Sequence, residues 1–444
     1  MNSLPERLSS KLWFGYLCFL LFWAFDAYAE IGRFMREGTL FARVLDGKPF
    51  INDTVQWYNA AVLAHRCAGG TFNIYDPEIQ DRSMRAITQP VVPEAYLYLQ
   101  YPPQFFPLVE PFARFPIGQA YFVWCGIALV LISICLWFVI KDAAKEKFAR
   151  AFMFIGTLAS FPAWLSFELA QTSLFQFPAT MAFWLFMRAG KFFLAGLVMT
   201  LLLVKVQYSP ALLLIGLLLG RLRYAAGLTV SCVFLTIITV LNVGIENIKR
   251  FPEALAFGET SNKVAGVGAE QMQNFRGELV VLLGQDGRVI HLTVLALFGL
   301  GVATIGWLWW RVYPRLSEKL GRQAFNILAA CSVLISLITS PHTHIQEFLS
   351  ASLALLFLYP LVAGARKTRA EKTLYGLMIA YPALSWIFFL GKIVFFLLRM
   401  QPFLIWTLAV LFCVYRIVGE RTRGDRASDP DPVSNTDAKP VSDS

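Results

Sequence analysis

Apolar runs of near membrane-crossing length recur from one end of the chain to the other, and no other feature constrains the fold as strongly. They can be cut at about residues 12–31, 117–140, 150–167, 173–187, 191–206, 209–220, 225–244, 290–310, 324–339, 347–364, 374–390 and 394–416, twelve in all. A helix needs roughly 20 apolar residues to cross hydrocarbon, so the expected fold is an all-α polytopic membrane protein. Composition agrees: 57% of the 444 residues are hydrophobic and 15% charged, where soluble domains carry about 45–50% and 25%. A soluble globular protein is excluded. The net charge of +10 does not point to nucleic acid, because short cytoplasmic loops collect Lys and Arg.

Those basic residues test the cut independently. With the N-terminus in the cytoplasm, every second loop falls inside as well. The inside loops then hold Lys141, Lys145, Lys147 and Arg150; Arg188 and Lys191; Arg221 and Arg223; Arg311, Arg315, Lys319 and Arg322; and Arg366, Lys367, Arg369 and Lys372. Arg416, Arg421, Arg423 and Arg426 place the C-terminus inside too. The expected setting is the plasma membrane, crossed many times, with the active site on the extracytoplasmic face. The 191–220 stretch, interrupted by Lys205, Gln207 and Pro210, reads as two tilted helices or one broken one. Ala27-Tyr28-Ala29 also resembles a signal-peptide cleavage site, although Asp26 and Glu30 flank it.

Two outer loops are long, about 32–116 and 245–289, within one transmembrane unit spanning 1–418. The stretch 419–444 is rich in Asp, Ser, Pro, Thr and Arg and poor in apolar residues, so a disordered cytoplasmic tail is expected. Six of the seven cysteines lie in apolar segments, and no disulfide framework or CxxC pair can be drawn.

Polar groups that a bare anchor would not need gather on the outer side. Residues 53–67 have helical spacing and read as an amphipathic interfacial helix with Asn52 or Asp53 at its start. Asn52-Asp53-Thr54 is formally a glycosylation sequon. Tyr101-Pro102-Pro103 followed by the Phe-rich 105–115 segment reads as a chain that turns sharply and dips toward the membrane. Glu168, Gln171 and Ser173, then Lys205 and Gln207, then Asn274 and Arg276, then His342 and His344 with Gln346 and Glu347, all fall on the same side as Asp53. Each has a plainer reading: a helix cap for Asp53 and Glu168, a snorkelling amine for Lys205, ordinary loop polarity for the histidines. Ionisable groups at membrane depth nonetheless point to function. His-x-His alone lacks the three or four ligands of a metal site, so neither metal nor cofactor is expected. No phosphate-binding loop, dinucleotide fingerprint, nucleophile elbow or zinc-protease motif occurs.

Asp53-Thr54-Val55-Gln56-Trp57-Tyr58-Asn59-Ala60-Ala61, Ile74-Tyr75-Asp76 and Tyr101-Pro102-Pro103, in that order and spacing, resemble glycosyltransferase family 87. Gln171-Thr172-Ser173, Lys205-Val206-Gln207 and Ser340-Pro341-His342 continue the likeness across most of residues 12–365. Ala170 stands where the family usually has Gly, Val206 where it has Pro, and His342-Thr343-His344-Ile345 lacks a Trp-Asp-His pattern of one branch. The resemblance implies a GT-C type fold. It implies an inverting transfer of a hexose, usually mannose, from a polyprenyl-phosphate sugar on the extracytoplasmic side.

An Asp in the first outer loop is then the general base, a position that Asp53 matches. Lys205, Arg276, His342 and His344 are candidates for the donor phosphate, and Trp57, Tyr58, Asn59, Tyr101, Glu168, Gln171 and Gln207 for the sugar and acceptor. The expected partners are the lipid-linked donor, a lipid or glycan acceptor and the membrane lipids. A lipid or glycan transporter or flippase would use similar outer groups without depending on one carboxylate, and a membrane acyltransferase would depend on His342 or His344 instead.

Overall fold

The computed structural model describes residues 4–37, 42–45, 48–51, 53–90, 97–261, 268–312, 318–364, 368–390 and 400–428. Among them the protein is a helical bundle, and seven helices are long and apolar enough to cross a membrane. Helix α1 (Leu4–Arg36) opens the chain. It is tied into the bundle through its small-residue stretch: Trp164 donates to the Ala27 carbonyl at 2.8 Å and Tyr28 donates to that of Leu158 at 3.1 Å. Residues expected around a cleavage site are thus part of a packed helix.

The first outer loop carries a short antiparallel hairpin, β1 (Ala42–Leu45) and β2 (Lys48–Ile51), which the helical reading did not anticipate. It leads to α2 (Asp53–Cys67), then α3 (Pro77–Thr88), capped by the Asp76 carboxylate. The Tyr-Pro-Pro step opens three consecutive short turns, Pro103–Phe105, α4 (Phe106–Val109) and Glu110–Arg114. These turns, α3 and the later bundle pack around α2 and bury eleven of its residues. The helix is therefore enclosed, not half exposed as an amphipathic pattern suggested.

Spans α5 (Ile117–Ala143), α13 (Arg288–Val312), α14 (Glu318–Thr339) and α15 (Leu349–Val362) follow the expected cuts, whereas the last helix, Pro402–Ser428, runs twelve residues past the end of the 394–416 run, whose first residues lie outside the described ones. The 150–167 run is instead a bent pair, α6 (Lys147–Ala159) and α7 (Phe161–Glu168), turned by 49° at Ser160 ahead of Pro162, and would make an eighth crossing. Helices α8 (Ser173–Arg188) and α9 (Phe192–Leu202) are short, about 24 and 17 Å at 1.5 Å per residue, against a core of roughly 30 Å. Both are short runs in the sequence as well, and among the described residues seven helices, or eight with the bent pair, have crossing length. Helix α16 (Arg369–Leu390) contains Pro382.

The Ser209–Val243 helix, α10, is broken at Arg221, whose φ of 45° and ψ of −128° are not helical. A continuous helix would set Gly216 and Tyr224 about 12 Å apart along its axis. Instead a Cβ at Gly216 would overlap the Tyr224 ring, so the chain folds back here and the 209–220 and 225–244 runs are distinct helices. Between α9 and α10, the turn Leu203–Tyr208 carries Lys205 in an extended conformation. The 191–220 stretch is thus two helices meeting at a kink.

The basic loops share one end of the bundle. There Arg188 pairs with Asp142 and bonds Asn326, and Arg421 bonds Glu371 and the Leu361 carbonyl. These anchors, with an Arg416–Glu420 pair one turn apart, carry the last helix past the tail boundary at 419 to Ser428; residues 429–444 lie outside the described ones. The opposite end collects α2, the turn after α7, Lys205 and the segment after α14. The second outer loop adds α11 (Ile245–Ser261) and α12 (Phe275–Leu283).

Candidate active site

Asp53 opens α2, and the helix start is pinned to the turn after α7 by Thr54, whose hydroxyl donates to the Leu169 carbonyl at 3.1 Å. That turn presents Gln171, whose side chain hydrogen-bonds the Asp53 carboxyl. Burial pushes the Asp53 carboxyl up to about 6, with Gln171 and Lys205 opposing the rise and Glu347 adding to it. An acid that only capped a helix would be held low by the helix N-terminus. A carboxyl in that range can both hold and release a proton near neutral pH.

The turn that aims Gln171 is strained at one residue. Ala170 is fully buried with φ of 46°, while the Gln171 amide donates to the Ser166 carbonyl at 2.8 Å. This is the position where the resemblance expects Gly, and an L residue in the left-handed region costs about 1–2 kcal/mol. Glycine would remove that cost and add about 0.5–1 kcal/mol of backbone entropy loss. Ala170→Gly is therefore expected to stabilise the protein modestly, by up to about 1 kcal/mol, in a thermal or denaturant unfolding series; a loss of stability would show that the Ala170 methyl packs better than its backbone suggests.

Lys205 reaches across to Glu347, and the two form a buried ion pair, with 13% and 4% of their side chains exposed. The other Glu347 oxygen accepts from the His344 amide at 2.8 Å, in a single turn, Ile345–Phe348, that leads into α15. Behind Glu347 lies a small cavity of about 50 Å³ whose walls are mainly apolar, Leu202, Leu212, Val333 and Leu337, with Ser173, Gln176, Ser336 and Ser350 among them; it is roomy enough for water. Lys205 is thus paired and buried rather than a solitary exposed amine.

Tyr101 is also here. Its phenol lies beside Thr172 within the fields of Asp53 and Glu347, and burial raises its pKa. Its carbonyl accepts from the Tyr75 hydroxyl at 2.9 Å, joining the Ile-Tyr-Asp and Tyr-Pro-Pro motifs.

The two histidines face each other, Nε2 to Nε2, at 3.2 Å. Burial, then His344, Lys205 and Arg276, drive the His342 pKa well below its ordinary value, so His342 is neutral at pH 7 and can meet an anion only by donating a hydrogen bond. Arg276, on α12, is buried and paired with Asp286 at 3.0 Å, and donates to the Pro341 carbonyl at 3.4 Å. Asn274 caps α12 and donates to the Ser340 carbonyl at 2.7 Å, which joins that helix to the histidine segment. Among the described residues no group of three His, Cys, Asp or Glu could hold a metal ion.

Two of the other candidates are spent on packing. Trp57 is fully buried and stacked on Trp124 at 4.5 Å, and Tyr58 donates to the Phe115 carbonyl at 2.7 Å, so both pack α2 against the short turns and α5. Asn59 is fully buried in the same helix. Glu168 is buried beside Tyr121. Gln207 lies in the Lys205 turn, but its side chain is outside the described residues. Sequence reasoning passed over Glu347 and Asp286 as partners; an acid beside an outer-end His-x-His was the signal for the first.

The model of one protein family, described as Glycosyltransferase family 87, matches residues 98–341, more than half of the chain. No curated protein and no solved structure matches it.

Proposed function

The chain belongs to glycosyltransferase family 87 and is a membrane glycosyltransferase, and on that premise we propose that it moves a hexose, mannose first among candidates, from a polyprenyl-phosphate donor onto a lipid or glycan acceptor. The observation that carries this reading is Asp53: a carboxyl tuned to about 6, held by Gln171, at the bundle end that also gathers Tyr101, Lys205, Glu347 and His342. The basic loops at the other end support an extracytoplasmic site in the plasma membrane, with both termini cytoplasmic.

In the proposed step the acceptor oxygen attacks the anomeric carbon while its proton passes to Asp53. The bond from that carbon to the phosphate oxygen breaks, and the electron pair leaves with the polyprenyl phosphate, so the configuration inverts. The leaving phosphate needs charge stabilisation more than a proton. Lys205 is the cation whose field acts on Asp53, Arg276 stands behind the histidine segment, and neutral His342, with His344 beside it, supplies hydrogen bonds.

The test is label transfer in liposomes from radiolabelled polyprenyl-phosphate mannose to extracted envelope lipids. A labelled product that needs the protein supports the donor and reveals the acceptor class; folded protein inactive with mannose and glucose donors removes the donor assignment.

The same assay has a defined pH dependence. Asp53 must be ionised to accept a proton, so the rate is expected to rise about tenfold per pH unit below about 6 and to level off above it. Stability moves oppositely. The raised carboxyl favours the folded state fully below its ordinary value of 3.8, and that contribution is lost as pH rises through about 6. A flat rate profile between pH 5 and 7 would remove Asp53 from the rate-determining proton transfer.

A further inference from the structure

Away from the site, α6, α15 and α16 leave between them a cavity of about 610 Å³ that the proposed reaction does not use. Its walls are apolar, built from Phe148 and Met153 of α6, Leu355 of α15, and Met378 of α16. At the basic end its lining includes Glu146, between Lys145 and Lys147, and Lys372 stands one turn before the lining Tyr375. Its deep end is closed: a Cβ on Gly156 would lie 3.0 Å from Pro382. Toward the site, the Tyr381 hydroxyl donates to the carbonyl of fully buried Phe348 at 2.7 Å. The Thr157 hydroxyl is committed to the Met153 carbonyl.

We infer that this groove seats one acyl chain of an anionic glycerophospholipid from the leaflet opposite the Asp53 site, its headgroup on Lys145, Lys147 and Lys372. The length fits. From Phe148 to Thr157 along α6 is about 14 Å at 1.5 Å per residue, close to the ~15 Å of one leaflet, half of a ~30 Å hydrocarbon core. The charge fits as well: Lys145, Lys147 and Lys372 stand against Glu146, and Glu371 beside Lys372 is paired with Arg421, so an anionic headgroup is favoured. Tyr359 and Tyr375 line the groove as rings with a polar tip, suited to an interfacial mouth. An isoprenoid tail arriving from the Asp53 side meets the Phe348–Tyr381 contact first, which disfavours the donor as occupant. The chain would hold α15, whose first turn follows Glu347, against α6 and α16.

Native mass spectrometry of the delipidated full-length protein, with phosphatidylglycerol or phosphatidylcholine of matched chains added back, reads this directly. One phosphatidylglycerol is expected to be retained, about tenfold in preference to phosphatidylcholine. Ala149→Trp, which fills the groove, should abolish retention and the rise in unfolding temperature that phosphatidylglycerol gives the native protein. Lys145→Glu with Lys147→Glu, on the surface and without burden on folding, should remove the headgroup preference alone, and decides the matter if Ala149→Trp does not fold. Equal retention of both lipids, retention unchanged in these variants, or displacement of phosphatidylglycerol by polyprenyl phosphate would each overturn the assignment, the last giving the groove to the donor.

Discussion

Asp53→Asn is expected to lower sugar transfer by about 10²–10⁴-fold, the span that a positioned general base contributes, while leaving the protein folded and its donor bound. The reason lies in what the substitution keeps. Asparagine preserves the shape and a hydrogen bond toward Gln171, and it removes only the capacity to take up a proton. Ionised Asp53 is a burden on the folded state, since burial holds its carboxyl up near 6; the neutral amide should be no less stable at pH 7 and can be more so.

Asp53→Ala also deprives Gln171 of its partner and so mixes positioning with chemistry, which makes Asn the sharper variant. Transfer measured with saturating donor, beside unfolding temperature and membrane abundance, separates the outcomes. Activity within about threefold of native, in a folded variant, would reduce Asp53 to a helix-start residue and reopen the transporter reading, for which no single carboxylate is needed. Complete loss of folded protein would instead contradict the burial argument.

Much of this site was legible because the relevant motifs sit at the ends of apolar runs. The helix at 53–67 was bounded correctly from its spacing, and the residues carrying the family resemblance, Asp53, Gln171, Lys205 and Tyr101, do converge. What could not be read was which face of α2 looks where. Trp57 and Tyr58 have the residue type that cradles sugars, yet their neighbours in space, Trp124 and Phe115, lie 67 and 57 positions away and turn them into packing residues. Periodicity reports that a helix has an apolar side, and says nothing of a second layer that covers the other side, as the 103–114 turns do.

Charge states were hidden for a similar reason. His342 reads as a cation for phosphate, but its pKa depends on burial and on Lys205 and Arg276, which come from distant segments. The 191–206 run overshot the helix, which ends at Leu202 before the extended Lys205, and the 150–167 run hid the bend at Ser160. The reversal at Arg221 needs a left-handed residue that no glycine signals, although the hydropathy dip there did separate the two runs.

Lys205→Met is expected to show the second large effect, and on two observables at once. Removing one partner of a buried pair leaves Glu347 ionised with 4% of its side chain exposed, a loss on the order of 3–5 kcal/mol, and transfer should fall with it. Glu347→Gln in the Lys205→Met background removes the stranded charge. Because replacing both partners of a buried pair is often neutral, the double variant is expected to recover most of the stability without recovering transfer, if Lys205 moves to the donor phosphate during the reaction.

The Ser173, Ser336 and Ser350 side chains in the wall of the cavity behind Glu347 bear on such a move. As Lys205 swings toward phosphate, water there can solvate the carboxylate it leaves. The double variant therefore distinguishes two roles that either single variant confounds. If stability and transfer return together, the pair is a structural strut and the phosphate is held by Arg276 and the histidine segment alone. If stability returns while transfer stays low and the donor KM stays high, Lys205 touches the phosphate, and its resting partnership with Glu347 is the state from which binding releases it.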